Sequence, residues 1–483
     1  MEFSDLLSLY KKFPDRSDFV VTEEDGDIVF YFNGSSGLQK SHLLAFSLGI
    51  DNCKFVSADR QSILDKLESV QDDAEQPFQE ELEDRDQDSS DILSSSYDDP
   101  PIIKLVNQLI INAVKHNASD IHFEGQEDGF HIRFRIDGQL NTYRRYSRNI
   151  QDPVMARLKV IADLDIAETR KPQDGRIHLR VGNRDVDIRV SIIPSVNGEK
   201  AVLRILEKSR QIFQLDNLGM SPEILRTYRH FLLKPNGIIL VTGPTGSGKT
   251  TTLYASLLEM DRENKNILSI EDPVEYHIDK VTQVQVNPAI DITFARAIRS
   301  FLRQDPDVIM VGEIRDRETA KAATEAALTG HLVISTLHTN DAPTAVARLI
   351  EMDVEPFLIS SSLLVVVGQR LVRKVCPACK KRVQADPHVA HFFEKVGMHL
   401  EEYYRGVGCD RCFNTGYKGR IGIFEIMPIT DQIRALINRK ASAFEIREEA
   451  ELHGYRTMFE HGYDLICEGV TTPEEVIATT MSD

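Results

Sequence analysis

One glycine-rich stretch, Gly243–Thr250, constrains the fold of this chain more than any other feature. It follows an apolar run, Gly237–Thr242, that is typical of a buried parallel strand, and residues 251–260 are typical of a helix. A strand, a glycine loop and a helix in this order predict a phosphate-binding loop, whose backbone N–H groups face phosphate oxygens. The residues predicted to bind the nucleotide here are Gly243, Pro244, Thr245, Gly246, Ser247, Gly248, Lys249, Thr250 and Thr251.

Two residues of this loop have specific expected roles. Lys249 is expected to reach the β- and γ-phosphates, and Thr250 is expected to hold Mg²⁺. We also expect the Lys249 side chain to be largely exposed when no nucleotide is bound. The sequence therefore predicts ATP and Mg²⁺ as ligands.

Composition limits the class of protein. A chain of 483 residues with 41% hydrophobic residues has room for about three domains with real cores. Its apolar runs are too short to span a bilayer, and Met1–Asp5 lacks the basic and apolar regions of a signal peptide. The net charge of −18 argues against nucleic acid as a direct partner. These features predict a soluble, cytoplasmic protein.

The first hundred residues divide into two parts. Residues 1–68 contain two strand-like runs, Phe19–Val21 and Ile28–Phe32, but no catalytic motif, so we expect a small docking or regulatory domain. Residues 69–100 are rich in acids and serines and poor in core formers, which predicts a disordered linker.

The next domain, 101–208, is predicted to be α/β. Apolar and polar residues alternate in its later part, so that Val186, Ile188 and Val190 share one side of a strand and Arg189 lies on the other. Such arginines form either a solvated surface or a binding surface, and the alternation alone does not decide between them.

The phosphate-loop domain, 209–483, has three further strands that end in chemically useful residues. Because ligands bind at the carboxyl ends of strands in open parallel sheets, we expect these residues to converge on Lys249. They are Glu271, Asp272, Glu275, Glu313 and His338.

Three arginines of this domain, Arg296, Arg299 and Arg303, are spaced to share one side of a helix. Such a row is either a solvated surface or a set of cations that faces the nucleotide of a neighbouring subunit. We assign Arg299 and Arg303 to nucleotide binding on the second interpretation.

Two CxxC pairs, Cys376 with Cys379 and Cys409 with Cys412, predict a closed tetrahedral Zn²⁺ site within residues 376–412. A redox role needs only one pair, and a metal-free cluster is the remaining alternative. A nucleic-acid-binding zinc ribbon would need a strongly basic surface, and this segment is only mildly basic.

Taken together, the motifs resemble those of the secretion ATPase superfamily, and within it the general secretion pathway E family of type II secretion. The resemblance covers about 101–483. Its motifs stand in family order: Ser119–His122, Gln173–Arg176, the phosphate loop, Ile270–Glu275, Val311–Asp316, Leu328–His331, Ser335–Asp341 and the paired CxxC.

The resemblance implies an α/β fold, in which a RecA-like ATPase domain with a zinc-binding insertion follows a PAS-like domain and a small N-terminal α/β unit. It further implies a homo-hexameric ring on the cytoplasmic face of the inner membrane. There the ring would bind the cytoplasmic domain of a secretion platform protein, so that any membrane contact is indirect. ATP hydrolysis would drive pseudopilus assembly and protein export.

Residue roles follow from the same resemblance. Arg189 and Arg204 are expected to act as arginine fingers, because the family places their domain over the nucleotide. Glu313 is expected to hold Mg²⁺ with Thr250, and His338 to sense the γ-phosphate. Either Glu271 or Glu275 orients the attacking water.

Two alternative functions fit the same residues. A type IV pilus assembly ATPase shares every core motif, whereas a retraction ATPase would normally lack the paired cysteines. A nucleotide-gated scaffold would bind ATP with negligible turnover, although the intact Glu271, Glu275 and Glu313 favour hydrolysis.

Overall fold

The computed structural model describes residues 19–24, 27–33, 53–59, 62, 101–181, 184–207 and 214–481. The chain divides between Asp88 and Ser89 into two units. The predicted linker, 69–100, lies outside the described residues, and so does the predicted domain boundary at 208. Among the described residues, no helix combines the length and apolarity needed to cross a membrane.

The described part of the first unit is a three-stranded sheet with strands β1 (Phe19–Glu24), β2 (Asp27–Phe32) and β3 (Cys53–Ser57). The first two strands are antiparallel and the last two are parallel. Both strands predicted from the sequence are confirmed here. The Phe30 and Phe55 rings stack with their centroids 5.3 Å apart, which supplies part of a small apolar core.

The next domain is a six-stranded antiparallel sheet in the order β6-β5-β4-β9-β8-β7. Its elements are α1 (Pro101–Lys115), β4 (Asp120–Gln126), β5 (Gly129–Ile136), β6 (Gln139–Tyr146), α2 (Gln151–Ile161), β7 (Gln173–Val181), β8 (Arg184–Ser195) and β9 (Gly198–Glu207). Val186, Ile188 and Val190 are buried with both helices in one core. The predicted alternation is therefore correct, and it leaves the polar residues on the other side of the sheet.

The third domain is built on a seven-stranded sheet in the order β12-β11-β13-β14-β10-β15-β18, which is parallel except for β18. Its strands are β10 (Gly237–Thr242), β11 (Ile267–Glu271), β12 (Thr282–Gln285), β13 (Val308–Val311), β14 (Leu332–Leu337), β15 (Leu363–Val375) and β18 (Tyr417–Pro428). Every residue of β10 is buried because helices cover both sides of the sheet, which confirms the predicted parallel α/β architecture.

Helices surround this sheet, and a small insertion interrupts it between β15 and β18. The helices are α3 (Pro222–Leu232), α4 (Lys249–Glu259), α5 (Phe294–Phe301), α6 (Arg317–Leu328), α7 (Ala342–Glu351), α8 (Pro356–Ser362), α10 (Asp431–Asn438), α11 (Ala443–Leu452), α12 (Met458–Cys467) and α13 (Pro473–Thr480). The insertion contains β16 (Lys380–Gln384), α9 (Pro387–Lys395) and β17 (Glu402–Gly406), and it also carries the CxxC pairs.

Candidate functional site

The phosphate loop joins the end of β10 to the start of α4. Gly248 forms the N-cap of α4 with φ of +88°, a left-handed conformation that favours glycine. Ser247 Oγ is buried without a hydrogen-bond partner among the described residues. A loop that presents helix N–H groups beside an unsatisfied hydroxyl fits an anionic phosphate ligand.

Lys249 does not lie where the sequence predicts it. Its Nζ donates hydrogen bonds to the carbonyl oxygens of Gly243 at 2.8 Å and Pro244 at 2.9 Å, and the residue is only 7% exposed. The expectation of a largely exposed lysine is wrong because the ammonium group folds back onto the carbonyls of its own loop. Burial lowers the pKa of Lys249 to about 8, although the nearby Glu313 carboxylate opposes this shift.

The strand ends converge beside this loop, around a cavity of about 400 Å³. Its walls come from the phosphate loop, from the carboxyl ends of β11, β13 and β14, and from β15 and β18, which come later in the chain. The lining residues include Thr245, Gly246, Ser247, Gly248, Lys249, Thr250, Thr251, Glu271, Asp272, Glu275, Glu313, Thr336, His338, Leu371 and Arg420. The five residues expected to converge on Lys249 therefore do lie around one cavity.

Glu271 is held in a single orientation at the end of β11. It is 4% exposed, and its carboxylate accepts hydrogen bonds from Ser269 Oγ at 2.5 Å, Gln283 Nε2 at 3.0 Å and the Tyr254 hydroxyl. Burial and the Glu271 carboxylate both raise the pKa of Tyr254, so Tyr254 remains a hydrogen-bond donor. Glu271 is therefore a fixed carboxylate at the wall of the cavity.

Glu275 has a different environment. Its side chain is 30% exposed, and its Oε2 lies 3.6 Å from Nη2 of Arg189, on the six-stranded sheet. This pair brings the arginine-bearing surface of that sheet to the rim of the nucleotide cavity.

Glu313 lies between two cationic or titratable groups. Its Oε1 is 2.5 Å from Nη2 of Arg315 and its Oε2 is 3.3 Å from Nε2 of His338. Burial and the Lys249 charge lower the pKa of His338, so its imidazole tends to be neutral. The oxygens of Glu313 and Thr250 suit Mg²⁺, a cation that prefers oxygen ligands.

Two groups on β15 and β18 were missed by sequence reasoning. Arg420 lines the cavity, and the Gln369 side chain accepts a hydrogen bond from Thr252 Oγ1 at 2.7 Å. Neither residue lies in a recognisable motif, and their strands follow the phosphate loop by more than a hundred residues. Only the position of β15 next to β10 in the sheet brings them to the site.

The predicted arginine fingers belong to a row of charges across the six-stranded sheet. Arg176, Arg189 and Arg204 are direct cross-strand neighbours on β7, β8 and β9, and Arg204 is opposite Asp120 on β4. Nε of Arg204 donates to Oδ1 of Asp120 at 3.1 Å, and its side chain remains 65% exposed. These arginines line a second cavity of about 470 Å³. Neither Arg189 nor Arg204 is among the described residues that line the nucleotide cavity, but Arg189 contacts Glu275, which does line it.

Arg299 and Arg303 are exposed, and in the described part of the chain neither lines the nucleotide cavity. The prediction that they share a helix with Arg296 is wrong for Arg303. The helix α5 ends at Phe301, and Arg303 lies in the turn that follows, where its Nη1 donates to the carbonyl of Arg299 at 2.9 Å.

The four cysteines form one compact cluster at the base of the insertion. Their ligand atoms all lie within 4.8 Å of one another, with Sγ–Sγ distances of 3.9 Å for Cys376–Cys409, 3.9 Å for Cys379–Cys412 and 3.7 Å for Cys409–Cys412. Tetrahedral Zn²⁺ with Zn–S bonds of about 2.3 Å requires sulfur separations of about 3.8 Å. The four thiols therefore fit a closed zinc site.

The cluster also favours a thiolate at one position. Burial acts to raise the pKa of the Cys412 thiol, but the backbone N–H groups of Cys409 and Gly416, at 3.2 and 3.3 Å, outweigh it and lower that pKa to about 7. Backbone donors that point at sulfur are typical of structural thiolate sites.

Comparison with known proteins places these sites in a family. A family model described as type II/IV secretion system protein matches residues 95–478. The chain belongs to this family. Type II secretion system protein E of Pseudomonas aeruginosa is 50% identical over 391 residues, which cover 81% of this chain and 78% of that protein. Type II secretion system ATPase E of Vibrio cholerae is 50% identical over 394 residues, with the same shares covered.

The chain is also similar to type IV pilus assembly ATPase PilB of Thermus thermophilus, at 49% identity over 383 residues that cover 78% of this chain and 43% of that protein. Among solved structures, the pilus retraction motor PilT with bound ADP superimposes with a TM-score of 0.52 at 26% identity, covering 77% of this chain and 96% of PilT. The ATPase DotB of Legionella pneumophila gives a TM-score of 0.59 at 20% identity, covering 81% of this chain and 99% of DotB, which supports the fold.

Proposed function

We propose that this chain is the Mg²⁺-dependent ATPase motor of a type II secretion system. The observation that carries the proposal is the convergence of Glu271, Glu313 and His338 on the phosphate loop at Lys249, in a chain that belongs to the secretion family. A protein that only bound nucleotide would not need this set of acids and a histidine at one end of the sheet. The products are ADP and phosphate, and the released free energy drives pseudopilus assembly and protein export.

The proposed mechanism is in-line attack of water on the γ-phosphoryl group, with the protein acting by positioning and charge. Lys249 leaves its loop carbonyls and turns to the phosphates when nucleotide binds. Thr250 and Glu313 would hold Mg²⁺, which would supply positive charge to neutralise the phosphate oxygens. The largely neutral imidazole of His338 lies beside Glu313, where it senses the γ-phosphate.

Glu271 is our choice for the residue that orients the attacking water. Three donors already fix its carboxylate, so it accepts a hydrogen bond from water without losing further side-chain entropy. Glu275 instead faces Arg189 and is the more exposed of the two carboxylates. We assign Glu275 the role of anchoring the arginine-bearing sheet at the rim of the cavity.

Steady-state ATP turnover with Mg²⁺ tests this assignment. We expect Glu271→Gln to lower kcat by about 10²–10³-fold, because the amide keeps the shape and loses the acceptor charge. Glu275→Gln should have a smaller effect on kcat. If Glu275→Gln abolished turnover while Glu271→Gln did not, the two roles would be exchanged. If the full-length protein showed no ATP turnover, the motor assignment itself would fail.

A type IV pilus assembly ATPase remains the second candidate because PilB is 49% identical to this chain. The match covers 43% of PilB but 78% of the two type II proteins, which favours type II secretion. The genes that neighbour this one provide a direct test. Secretion platform genes would support the first candidate, and pilin genes would support the second.

We infer that six copies form a ring, in which cations reach a nucleotide from more than one direction. Arg189 and Arg204 act as arginine fingers on the transition state. Arg299 on α5 and Arg303 in the turn after it are both exposed, and they face the nucleotide of a neighbouring subunit. The cross-strand row of Arg176, Arg189 and Arg204 supports the arginine-finger role, because like charges directly opposite one another are costly. A bound phosphate would add to the compensation that Asp120 and Glu275 already give.

We infer that the cysteine cluster binds one Zn²⁺ as a structural centre. The support is the match between the sulfur separations and tetrahedral zinc geometry. The four thiolates would close the coordination sphere and leave no open position for chemistry.

We infer that residues 1–68 dock the motor to the cytoplasmic domain of an inner-membrane platform protein, with the acidic segment 69–100 as the tether. The protein would then be cytoplasmic and peripheral at the inner membrane. A chain that starts at Pro101 should keep basal ATPase activity, fail to co-purify with the membrane fraction and fail to support export. Normal export by this shortened chain would exclude the docking role.

A further inference from the structure

Glu425 is a buried carboxylate that lies outside the nucleotide cavity and has no part in the mechanism above. It is 2% exposed on β18, directly opposite Gly368 on β15. A Cβ atom on Gly368 would lie 2.5 Å from Oε1 of Glu425 and 2.6 Å from its Cγ. The Glu425 carboxylate therefore fits beside β15 because Gly368 has no side chain.

The N-termini of two separate helices meet at Glu425. Its Oε1 accepts a hydrogen bond from the backbone N–H of Ala342, the first residue of α7, at 2.7 Å. Its Oε2 accepts one from the backbone N–H of Met458, the first residue of α12, at 3.2 Å. The Tyr455 hydroxyl also donates to it. These donors and the positive ends of two helix dipoles offset part of the cost of burying the carboxylate.

One of these helices, α7, follows in the chain directly after a segment that begins at the nucleotide cavity. The segment 338–341 connects β14 to α7 and begins with His338, which lines that cavity. Thr339 follows, and its backbone N–H donates to Oγ1 of Thr242, the last residue of the strand before the phosphate loop, at 3.1 Å. The segment is thus tied to the phosphate-loop strand at one end and to Glu425 at the other.

We propose that Glu425 is a positioning residue for ATP hydrolysis, because its carboxylate ties the N-terminus of α7, and with it the His338 segment, to the N-terminus of α12. The inference rests on the proposed ATPase function. It implies that the position of His338 depends on the C-terminal helices and not only on the sheet. A shift of α12 in the ring would then change turnover without touching the nucleotide.

Glu425→Gln in the full-length chain tests the tie, because glutamine keeps the shape but has one acceptor oxygen for two backbone N–H groups. The matched control is Thr457→Ala. Thr457 Oγ1 caps the same helix, α12, by accepting a hydrogen bond from the Glu460 N–H at 3.3 Å. Thr457 is not one of the residues that donate a hydrogen bond to Glu425. The measurements are kcat and KM for Mg-ATP, with amide hydrogen exchange at Ala342 as a second readout that is independent of activity.

We expect Glu425→Gln to lower kcat about tenfold with little change in KM, less than the roughly 10²-fold that a 1 Å misplacement costs. Exchange at Ala342 should become faster. Thr457→Ala should keep the kcat of the unmodified protein and its Ala342 exchange rate. If Glu425→Gln does not fold, Glu425→Asp makes the same test, because it keeps the charge and shortens the reach.

Three results would decide against the inference. They are an unchanged kcat in a folded Glu425 variant, an equal loss of kcat in Thr457→Ala, or an unchanged Ala342 exchange rate in Glu425→Gln. A lack of ATP turnover in the unmodified protein would instead overturn the proposed function, and Ala342 exchange would still test the tie.

Discussion

The nucleotide cavity and the cysteine cluster are both indicated by short sequence motifs, yet they are assembled in different ways. The cysteine cluster takes all four thiols from two turns that flank one insertion between β15 and β18. The cavity takes its walls from the phosphate loop, from three further strand ends, and from β15 and β18. A cysteine cluster can therefore be assembled from neighbouring turns, whereas a cavity at the strand ends depends on the whole sheet.

The two regions also differ in how they handle charge. In the cavity the charged groups have partners within the protein, since Lys249 bonds to loop carbonyls and Glu313 faces Arg315 and His338. In the cysteine cluster, four thiolates would share one Zn²⁺, which would offset two of their four negative charges. We therefore expect substitutions to damage one region and spare the other.

The largest effect should follow from Lys249→Ala. ATP turnover should be abolished, because the phosphates lose their principal cation. The free energy of unfolding should fall by about 1 kcal/mol for each hydrogen bond lost to a loop carbonyl. Zinc content, measured by elemental analysis, should not change. Lys280→Ala, at a more exposed lysine, is the control, and normal turnover in folded Lys249→Ala would refute the role of the loop.

The next effect concerns whether the six-stranded sheet completes the cavity. Arg189→Ala and Arg204→Ala should each lower kcat by about 10³-fold with a much smaller change in KM, as expected for an arginine finger. Arg296→Ala, at an exposed arginine paired with Asp291, should have no effect. Equal losses of nucleotide affinity and turnover, or no loss, would mean that the row is a solvated surface.

Cys376→Ser tests the opposite case, in which the cysteine cluster is damaged and the nucleotide cavity is spared. Loss of one thiolate should release the metal and loosen the insertion, because the remaining three ligands leave the coordination sphere open. Nucleotide affinity at Lys249 should remain within a few-fold of the unmodified protein. The exposed Cys467 provides the control Cys467→Ser. Zinc-free protein from a fresh preparation would show that the cluster is not a metal centre.

The smallest effect is a dependence of stability on pH from Glu425. Burial, opposed by the helix N–H groups and increased by the Asp341 charge, raises its pKa from 4.5 to about 7. The Glu425 carboxyl therefore binds its proton more tightly in the folded state than in the unfolded state. This proton binding stabilises the folded state fully below about pH 4.5, and the stabilisation is lost as the pH rises through 7.

Urea unfolding of the unmodified protein and of Glu425→Gln at pH 5 and pH 8 measures this dependence. The stability difference between the two proteins should shift by about 3 kcal/mol over that range, in favour of Glu425→Gln at the higher pH. The exposed Glu448 provides the control Glu448→Gln. A shift of the opposite sign would mean that the helix donors outweigh the cost of burial.

The features predicted correctly from sequence share a short range. The phosphate loop with its flanking strand and helix, the alternation around Arg189, and the acids at strand ends all follow from patterns within about ten residues. The rule that ligands gather at the carboxyl ends of parallel strands then supplied the convergence around Lys249.

The missed features depend on contacts that no local pattern carries. The burial of Lys249 follows from loop carbonyls that turn toward its own side chain. Arg420 reaches the cavity only because β18 pairs with β15 in antiparallel register. The helix that carries Arg299 ends before Arg303, because its length is set by packing and not by the spacing of its charges.

The strand β15 gives the molecule a mechanical property. It runs for 13 residues, from a position next to β10 to Val375, directly before Cys376, and spans roughly 40 Å at about 3.3 Å per residue. Pairing with β18 along most of this length stiffens the strand, so it behaves as a beam that joins Leu371, which lines the nucleotide cavity, to Cys376 five residues later. A single residue inserted near Val372 would reverse the sides on which all distal side chains point. The length of this beam is therefore under tighter constraint than the identity of most residues along it.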